Sequence, residues 1–398
     1  MVASAFAAFA AFGSFWGVWG ASVPRVQHQA DVSDGQLGFA LLFVGAGALP
    51  AMLLAGRALD RWGPKVAAGA ISLLGIVGAG LALTAVNLPG LCIGLGIAGA
   101  SSGAADVTMN AVAGRAENIT GRPVITRVHG TFSTFVVLTS LGAGITSAAS
   151  WPLAVPFIAV TALCLAAGAI MLKAIPHRAT THDVGTTTAK APSPSRTRIT
   201  PLLLIGALGA LAFASENAHQ SWSAVFAQDE LHAGAGLTTV APAVFAGTVA
   251  ITRFSIGSLK TAHARPVILT GALAAAGGAL VIAGAPTLLI AALGLVMAGA
   301  GTAVLFPTLL STVSRNVEET YRGRATSIVS TVSYLGFLLG PVYVGVSAEA
   351  AGLRGAMIAV AALAAALFLL TPLLFHLSGF TLRAPRVLPR RRSTEDAR

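Results

Sequence analysis

The chain has 398 residues, of which 55% are hydrophobic and only 10% charged, with a mean hydropathy of +0.80. A water-exposed domain keeps roughly a quarter of its residues charged, so this composition excludes a soluble protein. The formal net charge of +11 does not restore a nucleic-acid reading, because the basic residues are placed to set membrane orientation.

Runs of about 20 apolar residues cross roughly 30 Å of hydrocarbon as helices. Twelve such runs are predicted in chain order, at 3–23, 36–56, 66–86, 90–113, 128–149, 152–172, 201–226, 237–258, 266–284, 287–312, 325–347 and 354–377. The runs are continuous instead of alternating with period two, which indicates helices and not barrel strands. The first lacks a basic leader and carries Trp16 and Trp19 near its far end, as an interfacial anchor does, so it reads as a retained span. Gly94, Gly96, Gly99 and Gly103 give the fourth a stripe of small residues suited to close helix approach. Cys92 and Cys164 fall inside runs, so no disulfide framework is expected.

Of the 25 lysines and arginines, only Arg25 and Arg354 fall on one side of the alternating topology. Positive residues mark cytoplasmic loops, so the expectation is a multi-pass protein of the cytoplasmic (inner) membrane with both termini in the cytoplasm. The Thr/Pro-rich stretch at 173–200 cannot bury a core and reads as a cytoplasmic linker between an N-terminal bundle, 1–172, and a C-terminal bundle, 201–377. The basic tail, 378–398, suits contact with anionic membrane lipids. A faint repeat lays 95–107 over 295–307. The expected fold is thus all-α and membrane-integral, with twelve transmembrane helices in two pseudo-symmetric six-helix bundles, a recurring plan for secondary transporters with a site at the interface.

The sequence GRALDRWGPK at 56–65 resembles the loop signature G-x-x-x-D-R-x-G-x-[RK] of the major facilitator superfamily. Further segments look like its MosC-like bacterial branch: SDGQLGFALLFVGAGALPAMLLAGR at 33–57, DVTMN at 106–110, HGTFS at 129–133 and SYLGFLLGPVYVG at 333–345. The resemblance implies a conformational latch at the cytoplasmic side made by Gly56, Arg57, Asp60, Arg61 and Gly63. The side chains suit such a latch, since glycines permit tight turns and Asp60 can accept from a helix N-terminus or an arginine. Departures from the family pattern are a second-half counterpart at 253–264 without the acidic residue, a fifth span without the glycine-rich antiporter signature, and Ser221 where the branch carries an aspartate.

Two acidic residues sit deep within predicted spans, Asp106 and Glu216. A carboxylate is costly in the bilayer and ordinarily faces a cavity where it serves a function. In the superfamily, helices one, four, seven and ten line the central cavity, and these acids fall on four and seven. Asp106 shares a helix face with Asn110, and Glu216 with Gln220, while His219 lies between the latter two. These five are the candidates for proton coupling or substrate binding, with Glu216 favoured for the substrate cavity. His129, Arg25 and Trp19 are further candidates: an imidazole at the cytoplasmic edge, an external cation and an aromatic beside it. No metal constellation, nucleotide-binding glycine loop or nucleophile elbow appears, so neither an enzyme nor a cofactor is expected.

The expectation is a secondary active transporter of a small organic solute, proton-coupled, working as a monomer by alternating access. Efflux of a drug or natural product, uptake of a sugar-like solute, and a sensor that binds without transport remain as alternatives.

Overall fold

The computed structural model of the protein describes residues 1–120, 124–174, 199–256, 264–317 and 322–380. Every element among them is helical. The first half holds α1 (Val2–Ala30), α2 (Asp34–Trp62), α3 (Val66–Thr84), α4 (Leu88–Thr120), α5 (Val124–Ala148) and α6 (Ala154–Ala174). The second holds α7 (Ile199–Val225), which runs on through a π-turn at Phe226–Glu230, then α8 (Val240–Ile256), α9 (Ala264–Ala283) and α10 (Leu288–Asn316). The last helical stretch, Arg322–Ser378, has 57 residues and is broken at Gly352, where φ is 73°. The Tyr343 hydroxyl donates to the Ala359 carbonyl at 3.2 Å. In an unbroken helix residues that far apart in sequence would stand about 24 Å apart, so the chain folds back at Gly352 into α11 (322–351) and α12 (353–378).

Among the described residues ten helices, the broken one counted once, are long and apolar enough to cross a membrane, and Val240–Ser255 is a shorter apolar helix. The helices extend beyond several of the predicted spans. Most consequentially, α2 continues to Trp62, so most of the 56–65 motif is helix and the connection is only residues 63–65. Gly63 ends α2 with φ 74°, a conformation that a side chain disfavours, and its N–H donates to Leu59. Gly56 lies inside the helix instead of at a turn, which corrects the reading of it as a turn residue. The linker and the tail from residue 381 lie almost wholly outside the described residues.

Several hydrogen-bonding groups inside the helices are satisfied locally. Ser33 and Gln36 form a reciprocal capping box at the start of α2, and Thr287 caps α10. Ser14, Thr108, Thr302 and Thr371 donate back to carbonyls one turn earlier, which spares an apolar environment their bare hydroxyls.

Within each half, glycines bring helix backbones together. A methyl group on Gly99 would overlap the Val44 carbonyl of α2, and one on Gly301 would overlap the Gly271 carbonyl of α9. The halves meet where α2 packs on α11 and α5 on α8. Gly35 lies against Glu349, Gly38 against Pro341 and Gly345, and Gly45 against Leu338. Gly144 lies against Gly236 and Thr239, and Ser140 donates to the Thr239 carbonyl at 3.3 Å. Apart from Gly45–Leu338 nearer mid-helix, these contacts occupy the ends of the helices nearest the connections at 31–33, 149–153, 231–239 and 352, here called the turn end; towards the other end, Gly130 of α5 lies against the Phe254 ring of α8. Arg25 and Arg354 lie at the turn end too, where Arg25 donates to the Trp151 carbonyl and Arg354 to Glu230 and the Ala283 carbonyl. The opposite, basic end carries Arg57, Arg61, Lys65, Arg115, Arg127, Lys173, Arg265 and Arg315. Arg253, grouped with these by sequence, stands instead inside α8 in an ion pair with α7.

Candidate functional site: a cavity between the two halves

A cavity of about 230 Å³ lies on the seam between the halves. Helical periodicity explains its walls, since residues three and four apart share a face. From the first half come Phe12, Trp16, Trp19 and Gly20 of α1, Val44, Gly45, Ala48, Leu49 and Met52 of α2, Ser102, Gly103 and Asp106 of α4, and Phe132 of α5. From the second come Asn217, Gln220 and Ser221 of α7 with Tyr334, Phe337 and Leu338 of α11. Aromatic rings dominate. Among the described residues Asp106 is the one carboxyl on the wall, and no lysine, arginine or histidine lines it.

The expected pairing of Asp106 with Asn110 is present. The Asn110 amide donates to the Asp106 side chain at 3.1 Å and to its carbonyl at 2.9 Å. Asn110 thereby occupies one carboxylate oxygen from the turn below, and Asp106 alone of the two reaches the cavity wall. Opposite, Asn217 donates to the Phe337 carbonyl at 2.7 Å and accepts from Ser221 at 3.0 Å, which ties α7 to α11 behind the wall. Gln220 lines the cavity as the sequence suggested.

Glu216 is placed differently from the expectation. It is not among the lining residues, and both of its oxygens accept from one guanidinium nitrogen of Arg253, at 2.8 and 2.9 Å. Arg253 also donates to the Ala303 carbonyl of α10. The pair joins α7, α8 and α10 inside the second half, with side-chain exposures of 44% for Arg253 and 16% for Glu216. Sequence reasoning missed the partner because it counted Arg253 among the orienting basic residues at the cytoplasmic side.

His219 is 1% exposed and faces away from the seam. Its Nδ1 lies 2.7 Å from the Ser215 carbonyl, its ring stacks on Phe245 at 5.4 Å, and its Nε2 has no partner among the described residues. It belongs to a separate, very small cavity with Ser223 and Met357. His129 is exposed and meets the Phe9 ring edge-on at 4.9 Å, also apart from the lining. Arg25 serves the connection at Trp151. Trp16 and Trp19 were expected as membrane-interface residues. Because α1 runs on to Ala30, they fall within its length and turn to the seam, Trp19 only 4% exposed.

Of the latch candidates, Arg57 and Arg61 are exposed at the basic end, and the Arg61 guanidinium lies 5.7 Å from the centre of the Trp62 ring. A methyl group on Gly56 would meet nothing within 4 Å. The Asp60 side chain lies outside the described residues.

The helices that form this wall differ from the family expectation. Helix α10 contributes no lining residue, and α2, α5 and α11 do. Phe306 of α10 instead packs its ring against Phe213, 4.3 Å between centroids, and Phe213 in turn meets Tyr334 at 5.5 Å. Asn217, Tyr334 and Phe337 were not singled out from sequence, and Ser221 only as a departure from the branch pattern. The signal available was their three- and four-residue spacing inside ENAHQSWS and SYLGF.

Comparison with known proteins agrees with this architecture. The family model for the Major Facilitator Superfamily matches residues 4–263 and 261–396. The chain is similar to an uncharacterized transporter, y4wD, of Sinorhizobium fredii, 29% identical over 88% of this chain and 92% of that protein. It is also similar to the membrane protein MosC of Rhizobium meliloti, 28% identical over 86% of this chain and 82% of that one. Among solved structures, the nucleoside transporter NupG superposes with a TM-score of 0.75 at 13% identity, covering 94% of this chain and 98% of that chain. The inward-open xylose transporter XylE from E. coli superposes at 0.72 and 14% identity, covering 92% and 94%. These likenesses, the paired helical bundles and the full-length family match place this chain in the Major Facilitator Superfamily.

Proposed function

We propose that this membrane transporter is a proton-coupled secondary carrier of a small organic solute, working by alternating access about the seam cavity. The observation that carries the reading is the position of Asp106, a carboxyl in mid-helix on the wall of a cavity whose turn-end side is closed by both halves. An acid so placed must hold a proton or a countercharge, and either makes occupancy of the cavity depend on protons. A matched structure of this fold is described as a D-xylose–proton symporter, in keeping with such coupling.

The basic end is the cytoplasmic end by the distribution of positive residues, which puts both termini in the cytoplasm and the protein in the cytoplasmic membrane. The closed turn end then faces outward, and this is the inward-facing state. Matched structures of XylE and of a bacterial homologue of Spinster are described as inward open or inward-facing. In the opposite state the basic end closes, and Gly56, Arg57, Asp60, Arg61 and Gly63 act as its latch. A cavity of about 230 Å³ is smaller than the roughly 300–1,000 Å³ typical of drug-sized ligands, which favours a compact solute.

The test uses proteoliposomes containing a trapped pH-sensitive dye and a panel of small polar solutes added outside. A solute that transports should move protons only when protein is present, and Asp106→Asn should abolish that proton movement. Solute flux in the wild-type protein with no accompanying proton movement, in either direction of the imposed gradient, would refute the coupling.

A further inference from the structure

We infer that the seam cavity selects a cation: a compact solute with an ammonium or similar positive group beside an apolar or aromatic-stacking body. This rests on the reading of the cavity as the solute site and names the charge class that site accepts.

The inference starts from the charge inventory of the wall. Among the described residues Asp106 is its only ionisable group of either sign apart from the Tyr334 phenol. One Asp106 oxygen accepts from Asn110, and the other has no hydrogen-bond partner among the described residues. Arg253 pairs with Glu216 and Arg354 with Glu230, so neither of these guanidinium groups answers Asp106. An anionic solute would meet that carboxylate with no basic group to offset the repulsion. A neutral solute would require Asp106 to take up a proton, since the bare carboxylate is costly there. A cation compensates it directly.

The rings supply the second half of the recognition. Phe12, Trp16, Trp19, Phe132, Tyr334 and Phe337 surround the cavity from α1, α5 and α11. Aromatic faces attract cations through the ring quadrupole, most strongly where water is scarce. They also cover the apolar body of a solute without demanding hydrogen bonds. The Gln220 side chain lines the cavity and makes no hydrogen bond among the described residues, which leaves its amide to a polar substituent. Carboxylate, rings and amide stand on both halves of the seam, so a bound cation touches the two bodies that must move.

Three probes of one shape test the charge class: 2-phenylethylamine, 2-phenylethanol and phenylacetate, added to purified full-length protein in lipid nanodiscs. Binding is read by calorimetry and by quenching of the tryptophan fluorescence, to which Trp16 and Trp19 contribute. The amine is expected to saturate at least tenfold more tightly than the alcohol, and the acid to show no saturation. Asp106→Asn should remove the preference of amine over alcohol, Asp106→Glu should keep it, and both should melt close to wild type without ligand. Equal affinity of amine and alcohol, tighter binding of the acid, or no saturable binding of the amine at millimolar concentration overturns the charge assignment. The carrier reading fails separately, through absence of proton-linked flux in the dye-loaded vesicles.

Discussion

The Arg253–Glu216 pair shows what a single residue contributes here. The guanidinium is half-exposed and fixed by the Ala303 carbonyl as well as by Glu216. Removing one member leaves the other with an unanswered charge, and hydrogen bonds to charged groups contribute about 1.5–3 kcal/mol each. Arg253→Ala is therefore expected to destabilise the protein by about 2 kcal/mol. The double variant Arg253→Ala/Glu216→Gln should recover part of that loss, because no charge is then stranded. Unfolding in a mild-detergent denaturant series checks this; a double variant less stable than the sum of the singles would show that the pair does not stabilise through its mutual charge. Sequence singled out Glu216 for proton coupling or the substrate cavity, whereas the structure pairs it with Arg253 away from the lining. Its partner was illegible because pairing depends on which helix lies beside α7, and no local pattern encodes that.

At the scale of helices, glycines have opposite meanings according to what faces them. Gly99 of α4 lies so close to Val44 of α2 that a side chain would collide with the backbone. Gly99→Val is expected to cost at least about 2 kcal/mol by forcing the helices apart, as overpacking does. Gly56 has open space around it and helical neighbours on both sides. Gly56→Ala should stabilise this state by about 0.5–1 kcal/mol through helix propensity alone. If the latch closes on Gly56 in the other state, the same substitution should also slow turnover. Thermal melts of the two variants, followed by flux in vesicles, separate these effects; a Gly56→Ala protein with wild-type turnover removes Gly56 from the latch. The stripe Gly94–Gly103 was readable as a packing face in the sequence, since small residues at helical spacing have few other uses in a membrane. Whether a given glycine is compressed or free was not readable, because both look the same along one helix.

At the scale of the whole molecule, alternating access requires the turn-end contacts to part. Ser140 on α5 and Thr239 at the start of α8 touch across the seam. Cysteines at both positions, with Cys92 and Cys164 replaced by alanine, should form a crosslink under mild oxidation. The crosslinked protein is expected to lose transport and to regain it on reduction. Full transport by the crosslinked form would mean that these contacts stay closed throughout the cycle, contrary to a rocking mechanism.

Composition and order along the chain were sufficient for the membrane class, the helical fold, the approximate position of each helix and the segregation of positive charge. Each of these follows from the transfer of short segments between water and hydrocarbon, an energy that each segment carries by itself. The tertiary structure decided the rest: that Trp16 and Trp19 face the seam, that Glu216 is neutralised by Arg253, and that, among the described residues, α11 in place of α10 walls the cavity and Asp106 is its one carboxyl. Those outcomes depend on the rotation of each helix about its axis and on the neighbour it meets. In a chain so uniformly apolar, many rotations bury the same kind of surface, and only packing of specific glycines, rings and charges selects among them.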